Sequence, residues 1–157
     1  MADMADIAAA LGKAGVSETD TSVRRRAEYS SDASNYRVVP SVVAYPRHAD
    51  EIIAALAVAR ELGVPIVPRG AGTSIAGNAL STGIVLDTSK HLNRVLAIDP
   101  EARTARVEPG TVLDSVTRAA AMVKCPGIKL QTCCRIVSLD LAGLIVFLFF
   151  TSAESQR

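Results

Sequence analysis

The chain has 157 residues, room for one domain and hardly for two with separate cores. Its 17 basic and 16 acidic side chains leave a formal charge of +1, which argues against an electrostatic nucleic-acid binder and gives no basic face for a membrane surface. At 49% apolar and 21% charged it is too hydrophobic for intrinsic disorder, and its three cysteines, two of them adjacent (Cys133, Cys134), fit neither a disulfide framework nor a metal pattern.

The N-terminus, MADMADIAAALGK, carries Asp where a signal peptide would carry Lys or Arg, so a cytoplasmic protein is expected. Residues 4–14 predict a short helix closed by Gly15. Residues 17–37 cluster Ser, Thr, Asp and Asn and read as an irregular arm. The Arg24–Arg26 run, followed by Glu28 and Asp32, reads as a solvated face rather than a nucleic-acid patch. Val42–Tyr45 is a short apolar run of the kind a buried strand shows, ended by Pro46. Asp50 and Glu51 favour a helix start through the macrodipole. Ile52, Leu56, Ala59 and Ile53, Ala57, Arg60 then recur at helical spacing, predicting one apolar stripe against a sheet, and Gly63 with Pro65 stops the helix. Ile66-Val67 is a second strand, so this stretch reads as a βαβ unit with parallel strands.

Ile84–Asp87 is a third strand. Arg94–Asp99 and Thr104–Glu108 alternate apolar and polar around a turn, predicting a hairpin with one wet face. Thr111 is expected to cap a last helix, with Asp114 in a box-like position and Leu113, Val116 and Ala120 as its apolar stripe. The element order gives an α+β (α/β-like) fold, a small mixed sheet with packed helices.

The composition changes near Ala121: 23 alanines precede that point and two follow it, while every phenylalanine and cysteine lies after it. The last 36 residues are too few for a core of their own. Their uninterrupted apolar run, Leu141–Phe150, is ten residues, half of the roughly 20 that a membrane-spanning helix needs, so no membrane span is expected. The expected organisation is an N-terminal helix and irregular arm over 1–37, a partial domain over 38–121, and an apolar tail over 122–157 of the kind a frameshift produces. Finding one intact, expressed frame at the locus would remove the frameshift reading.

The segment that carries chemistry follows the second strand: Pro68-Arg69-Gly70-Ala71-Gly72-Thr73-Ser74-Ile75-Ala76-Gly77-Asn78. Gly70, Gly72 and Gly77 permit positive φ and close backbone approach. Consecutive N–H groups in such a turn form an anion nest, Thr73 and Ser74 add hydroxyls, and Arg69 adds a permanent charge, all suited to a diphosphate. The segment lacks the Lys of a P-loop, and its third glycine falls two positions late for a dinucleotide-binding G-x-G-x-x-G. Spacing alone therefore leaves a ligand-free glycine-rich connection open.

Four motifs in order, Tyr29-Ser30-Ser31-Asp32-Ala33-Ser34, the Val43 to Pro46 strand end, the Pro68–Ser74 loop and Val107-Glu108-Pro109-Gly110, resemble the N-terminal half of the FAD-binding domain of FAD-linked oxidases. This is the vanillyl-alcohol oxidase-like (PCMH-type) superfamily, and the similarity is to its glycolate oxidase and D-lactate dehydrogenase branch. The family's loop commonly has glycine where this chain has Ala71. The resemblance implies FAD as cofactor, with Arg69, Gly70, Ala71, Gly72, Thr73 and Ser74 as pyrophosphate contacts and Gly77 and Asn78 as further candidates at the loop's far end. It implies an FAD-dependent oxidoreductase acting on a small D-2-hydroxy acid in the full-length relatives. A truncated, inactive flavin-binding fragment is the alternative, because the flavin-facing half and the substrate domain of the family have no counterpart in this sequence. The two histidines, His48 and His91, sit on polar segments and are not expected to be catalytic, and no acid/base pair stands out.

Overall fold

The structure, a computed structural model, describes residues 2–102, 104–123, 135–139 and 146–149, the last two as main chain. The chain forms two compact units, Met1–Leu92 and Asn93–Arg157.

In the first unit, helix α1 (Met4–Lys13) starts at Asp3, whose side chain accepts the Met4 N–H at 2.6 Å, and buries Ile7 and Leu11, one turn apart. Strand β1 (Thr19–Asp20) and helix α2 (Val23–Glu28) follow. Both lie inside the segment read as an irregular arm. Local chemistry makes the helix: the Ser22 hydroxyl accepts the Arg25 N–H at 3.3 Å, and Glu28 pairs with Arg24 at 3.1 Å and Arg25 at 2.6 Å. None of its residues is buried, so no hydrophobic period announced it.

Strand β2 (Val42–Ala44) is fully buried and leads to helix α3 (Ala49–Leu62). Glu51 reaches back to accept the Arg47 N–H at 3.2 Å, which ties the helix start to the end of the strand. Gly63, at φ 62°, closes the helix in the left-handed region, as its position predicts. The buried face is Glu51, Ile52, Ala55, Val58 and Ala59, rotated from the expected stripe, with Ile53 and Leu56 48% and 44% exposed. The buried arc centres on Ala55, and Leu56 and Ile53 lie roughly 100° and 160° around the helix from it. Ala55 stands at the centre of the buried face, and the larger Ile53 and Leu56 fall outside it.

Strand β3 (Ile66–Arg69) and strand β4 (Ile84–Asp87) complete a mixed four-stranded sheet of order β1-β2-β4-β3. β4 runs parallel to both neighbours, with Val85 opposite Val43 and Val67, and β1 pairs antiparallel with β2. The βαβ reading gives the parallel sense correctly; β4, inserted between the two strands of that unit, takes the central, fully buried position.

In the second unit, strands β5 (Val95–Asp99) and β6 (Thr104–Val107) form the expected antiparallel hairpin. Helix α4 (Leu113–Met122) buries Val116 and Ala120, and Val116 joins Ala105 and Val107 in a small core with Val95 and Ile98 against it. Thr111 does not cap this helix. Its hydroxyl donates instead to the carbonyls of Arg94 at 3.1 Å and Glu108 at 2.7 Å, and Val112 occupies the cap position without a side-chain bond. The hydroxyl is drawn to the strand ends because two carbonyls converge there. Strands β7 (Arg135–Leu139) and β8 (Val146–Phe149) extend the sheet as β5-β6-β8-β7, all antiparallel, so the apolar stretch after Ala121 contributes strands. Cys133 and Cys134 lie outside the described residues. Among the described residues no helix is long and apolar enough to cross a membrane, and no cluster of potential metal ligands occurs.

Candidate functional site

The glycine-rich loop leaves the C-terminal end of β3, the edge of a parallel sheet where ligands commonly bind. Arg69 is the last residue of β3, in register with Asp87 of β4, and its carbonyl accepts the Thr88 N–H at 2.9 Å. Beyond it the chain leaves the ladder. None of the N–H groups from Gly70 to Ile75 donates to another of the described residues, and the segment is exposed or half-buried throughout. Six consecutive main-chain donors at a strand end are thus left without an acceptor among the described residues.

The glycines divide by role. Gly72 and Gly77 adopt positive φ, 71° and 77°, which an L side chain enters only with strain. Gly70 does not, and a Cβ there would meet nothing within 4 Å. A Cβ on Gly72 would lie 2.4 Å from a terminal nitrogen of Arg69, and one on Gly77 would lie 2.9 Å from the Tyr36 ring. Ser74 organises the far half of the loop: its hydroxyl accepts N–H groups from Ala76 at 3.3 Å and Asn78 at 3.0 Å. Asn78 therefore has its N–H engaged inside the loop. Thr73 remains exposed beside the free donors.

The Arg69 side chain lies between Gly72, in the middle of that row of donors, and the Tyr29–Ser34 segment. Its guanidinium donates to the Ser31 carbonyl at 2.9 Å and lies 4.9 Å from the centre of the Tyr29 ring. The same segment grips the loop by main chain, Ala33 N–H donating to the Gly72 carbonyl at 3.1 Å. Tyr29 in turn donates its hydroxyl to buried Asp87 and packs edge-on against Tyr45 at 6.1 Å. Burial, reinforced by the Asp87 bond, pushes the Tyr29 phenol well above its ordinary value, so it stays a neutral donor. Asp32 takes the hydroxyl of Ser34 at 2.5 Å and its N–H at 2.9 Å, and the hydroxyl bond holds its carboxyl below the usual range.

Sequence reasoning singled out the Tyr29–Ser34 motif but assigned it no physical role. Nothing local in the sequence joins it to Arg69, 38 positions from Ser31; the contact exists only because α2 and β2 carry the segment back over the sheet edge. Glu108 of the Val107–Gly110 motif is a second such residue. It is buried and accepts the Arg94 N–H at 2.8 Å and the guanidinium at 2.6 and 3.1 Å, locking the open end of the hairpin. The fork from Arg94 holds the Glu108 carboxyl below its ordinary range.

Each histidine stands against a carboxylate. His48 Nε2 is 3.5 Å from Glu51, at the start of α3. His91 Nε2 is 2.9 Å from Glu18, which also meets Lys90 and lies 3.5 Å from Arg47. Lys90, then His91, lowers the Glu18 carboxyl to about 2.

Known proteins match this arrangement at both levels. The sequence profile of the FAD binding domain family matches residues 40–142, running past the composition change at Ala121. The glycolate oxidase subunit GlcD of Bacillus subtilis is 43% identical over 108 residues, covering 67% of this chain and 23% of that protein. D-2-hydroxyglutarate dehydrogenase of Escherichia coli is 38% identical over 104 residues, covering 64% of this chain and 10% of that protein. The chain thus spans about a quarter or less of these relatives' length. Among solved structures, 4-ethylphenol oxidase from Gulosibacter chungangensis superposes with a TM-score of 0.62 at 19% identity, over 77% of this chain and 25% of that one. Physcomitrella patens BBE-like 1 does so at 0.63 and 24% identity, over 74% and 26%. These two show the fold.

Proposed function

Because the chain belongs to the FAD binding domain family, whose profile takes in most of it, we propose that its Arg69–Asn78 loop is the cradle for the FAD pyrophosphate. The observation that carries this reading is the unbroken row of N–H donors from Gly70 to Ile75 that have no acceptor among the described residues. The residues fit the group: a diphosphate is an acceptor-only anion, the donors are main-chain N–H groups, and Gly72 takes a left-handed turn within the row. Gly70, Ala71, Gly72, Thr73 and Ser74 supply the contacts, and Arg69 anchors the loop. Gly77 and Asn78 close its far side, where the Ser74 hydroxyl holds the turn.

The reaction proposed for the complete protein is FAD-dependent oxidation of a small D-2-hydroxy acid. The support is the similarity to a glycolate oxidase subunit and to D-2-hydroxyglutarate dehydrogenase. FAD, when bound, accepts the electrons of that oxidation. What the described residues contribute is binding and orientation of the cofactor's diphosphate end.

A second reading, that these residues bind flavin without turning over substrate, is favoured by the state of the histidines. His48 lies 3.5 Å from Glu51 at a helix start, and His91 2.9 Å from Glu18 at a strand edge. The test is titration of the purified chain with FAD, followed by flavin fluorescence and visible absorbance. Saturable binding at one FAD per chain is expected, and no saturable binding overturns the cradle. Adding D-2-hydroxy acids to the bound form then separates the two readings, since bleaching of the flavin absorbance requires turnover.

A further inference from the structure

Arg69 has the charge that a diphosphate attracts, yet its guanidinium is spent elsewhere. It donates to the Ser31 carbonyl at 2.9 Å, stacks 4.9 Å from the Tyr29 ring, and sits so close to the Gly72 Cα that a Cβ there would overlap it at 2.4 Å. Three separate pieces of chain therefore meet on one planar group: the end of α2, the Ser31 turn, and the apex of the glycine-rich loop. A fourth contact closes the circuit without Arg69, Ala33 N–H to the Gly72 carbonyl at 3.1 Å. That bond fixes the direction of the peptide unit following Gly72, and with it the aim of the Thr73 N–H.

We infer that Arg69 is a positioning residue of the diphosphate cradle: it clamps Gly72 to the Tyr29–Ser34 segment and thereby aims the loop's N–H groups, and its own charge does not contact the phosphates. This rests on the cradle reading above. Lysine cannot do the same work, because a single ammonium lacks the flat face for the Tyr29 ring and the fork that reaches Ser31 while lying under Gly72. The Tyr29 hydroxyl bond to Asp87 extends the clamp to the end of β4, so the loop is registered against the sheet from both sides.

The experiment compares the full chain with Arg69→Met and Arg69→Lys, first without ligand. Amide hydrogen exchange at Ala33, whose N–H bonds the Gly72 carbonyl at 3.1 Å, is expected to rise in Arg69→Met, while Ile84, whose N–H bonds the Pro65 carbonyl at 2.8 Å, stays as protected as before. Unchanged exchange at Ala33 overturns the clamp, whether or not the chain binds FAD. With FAD, both variants are expected to bind about tenfold or more weakly. The dependence of affinity on salt should be unchanged, and the phosphorus resonances of bound FAD should move toward those of free FAD. Rescue by Arg69→Lys, or a flattened salt dependence in Arg69→Met, means that the guanidinium touches the phosphates directly and overturns the inference. If the wild-type chain shows no saturable FAD binding, the cradle reading fails and the exchange result alone decides the clamp.

Discussion

Replacing Gly72 by alanine tests the loop's geometry at its apex. The backbone there is at φ 71°, where an L residue costs about 1–2 kcal/mol relative to glycine. The new Cβ would also lie 2.4 Å from the Arg69 guanidinium, which has to move. Moving it weakens a charge-assisted bond to the Ser31 carbonyl, worth about 1–3 kcal/mol, together with its contact to the Tyr29 ring. The guanidinium is half-exposed and regains water, so the smaller end of that range applies, and the closed loop loses about 2–3 kcal/mol in all. That is a fall in FAD affinity of about 30- to 150-fold. Because the loop opens locally, the melting temperature should move little. Gly70→Ala is the control: its φ is not positive and its Cβ would meet nothing within 4 Å, so its loss should stay within about a few-fold. Fluorescence titration of both variants with FAD, beside their thermal melts, reads the difference. Equal affinities for Gly70→Ala and Gly72→Ala would refute the reasoning, as would a Gly72→Ala chain that binds like wild type.

Three other outcomes follow from the fold. Gly83→Ala should destabilise the first unit by about 2 kcal/mol or more in a denaturant titration, since its Cβ would lie 2.1 Å from the Pro65 carbonyl, a backbone atom tied to the Ile84 N–H. A midpoint unchanged from wild type would show that the ends of β3 and β4 can separate at no cost. Glu18 has its carboxyl lowered from 4.5 to about 2, so its contribution to stability is present above pH 4.5 and is lost as pH falls toward 2. Glu18→Gln should remove that part of the acid limb in pH-dependent melts and leave the neutral-pH midpoint within about 1 kcal/mol of wild type; an acid limb identical to wild type counts against the Lys90 and His91 pairing. Arg94→Met removes the fork from buried Glu108, so the hairpin unit should melt earlier, with the difference shrinking toward low pH as the carboxylate is neutralised. Hydrogen exchange at Glu108, whose N–H bonds the Arg94 carbonyl at 2.9 Å, reports this locally, and unchanged exchange there would sink the assignment.

Local chemistry was enough to determine much of this protein. The apolar runs at Val42, Ile66 and Ile84, Gly63 past the end of α3, and the alternation on either side of the DPEA turn mark their elements because strand burial, left-handed caps and hairpin turns are short-range properties. The family resemblance, carried by four ordered motifs, supplied the cofactor. Tertiary structure decided what short-range pattern does not encode. It set which arc of α3 is buried, covering Ala55 fully and leaving the larger Ile53 and Leu56 nearly half exposed. It placed β4 between β2 and β3, a matter of strand order rather than strand propensity. It drew Thr111 to two strand-end carbonyls in place of a helix N-terminus. It also joined Arg69 to Tyr29 and Ser31, because residues some 40 positions apart meet only once the sheet edge brings them to the same place.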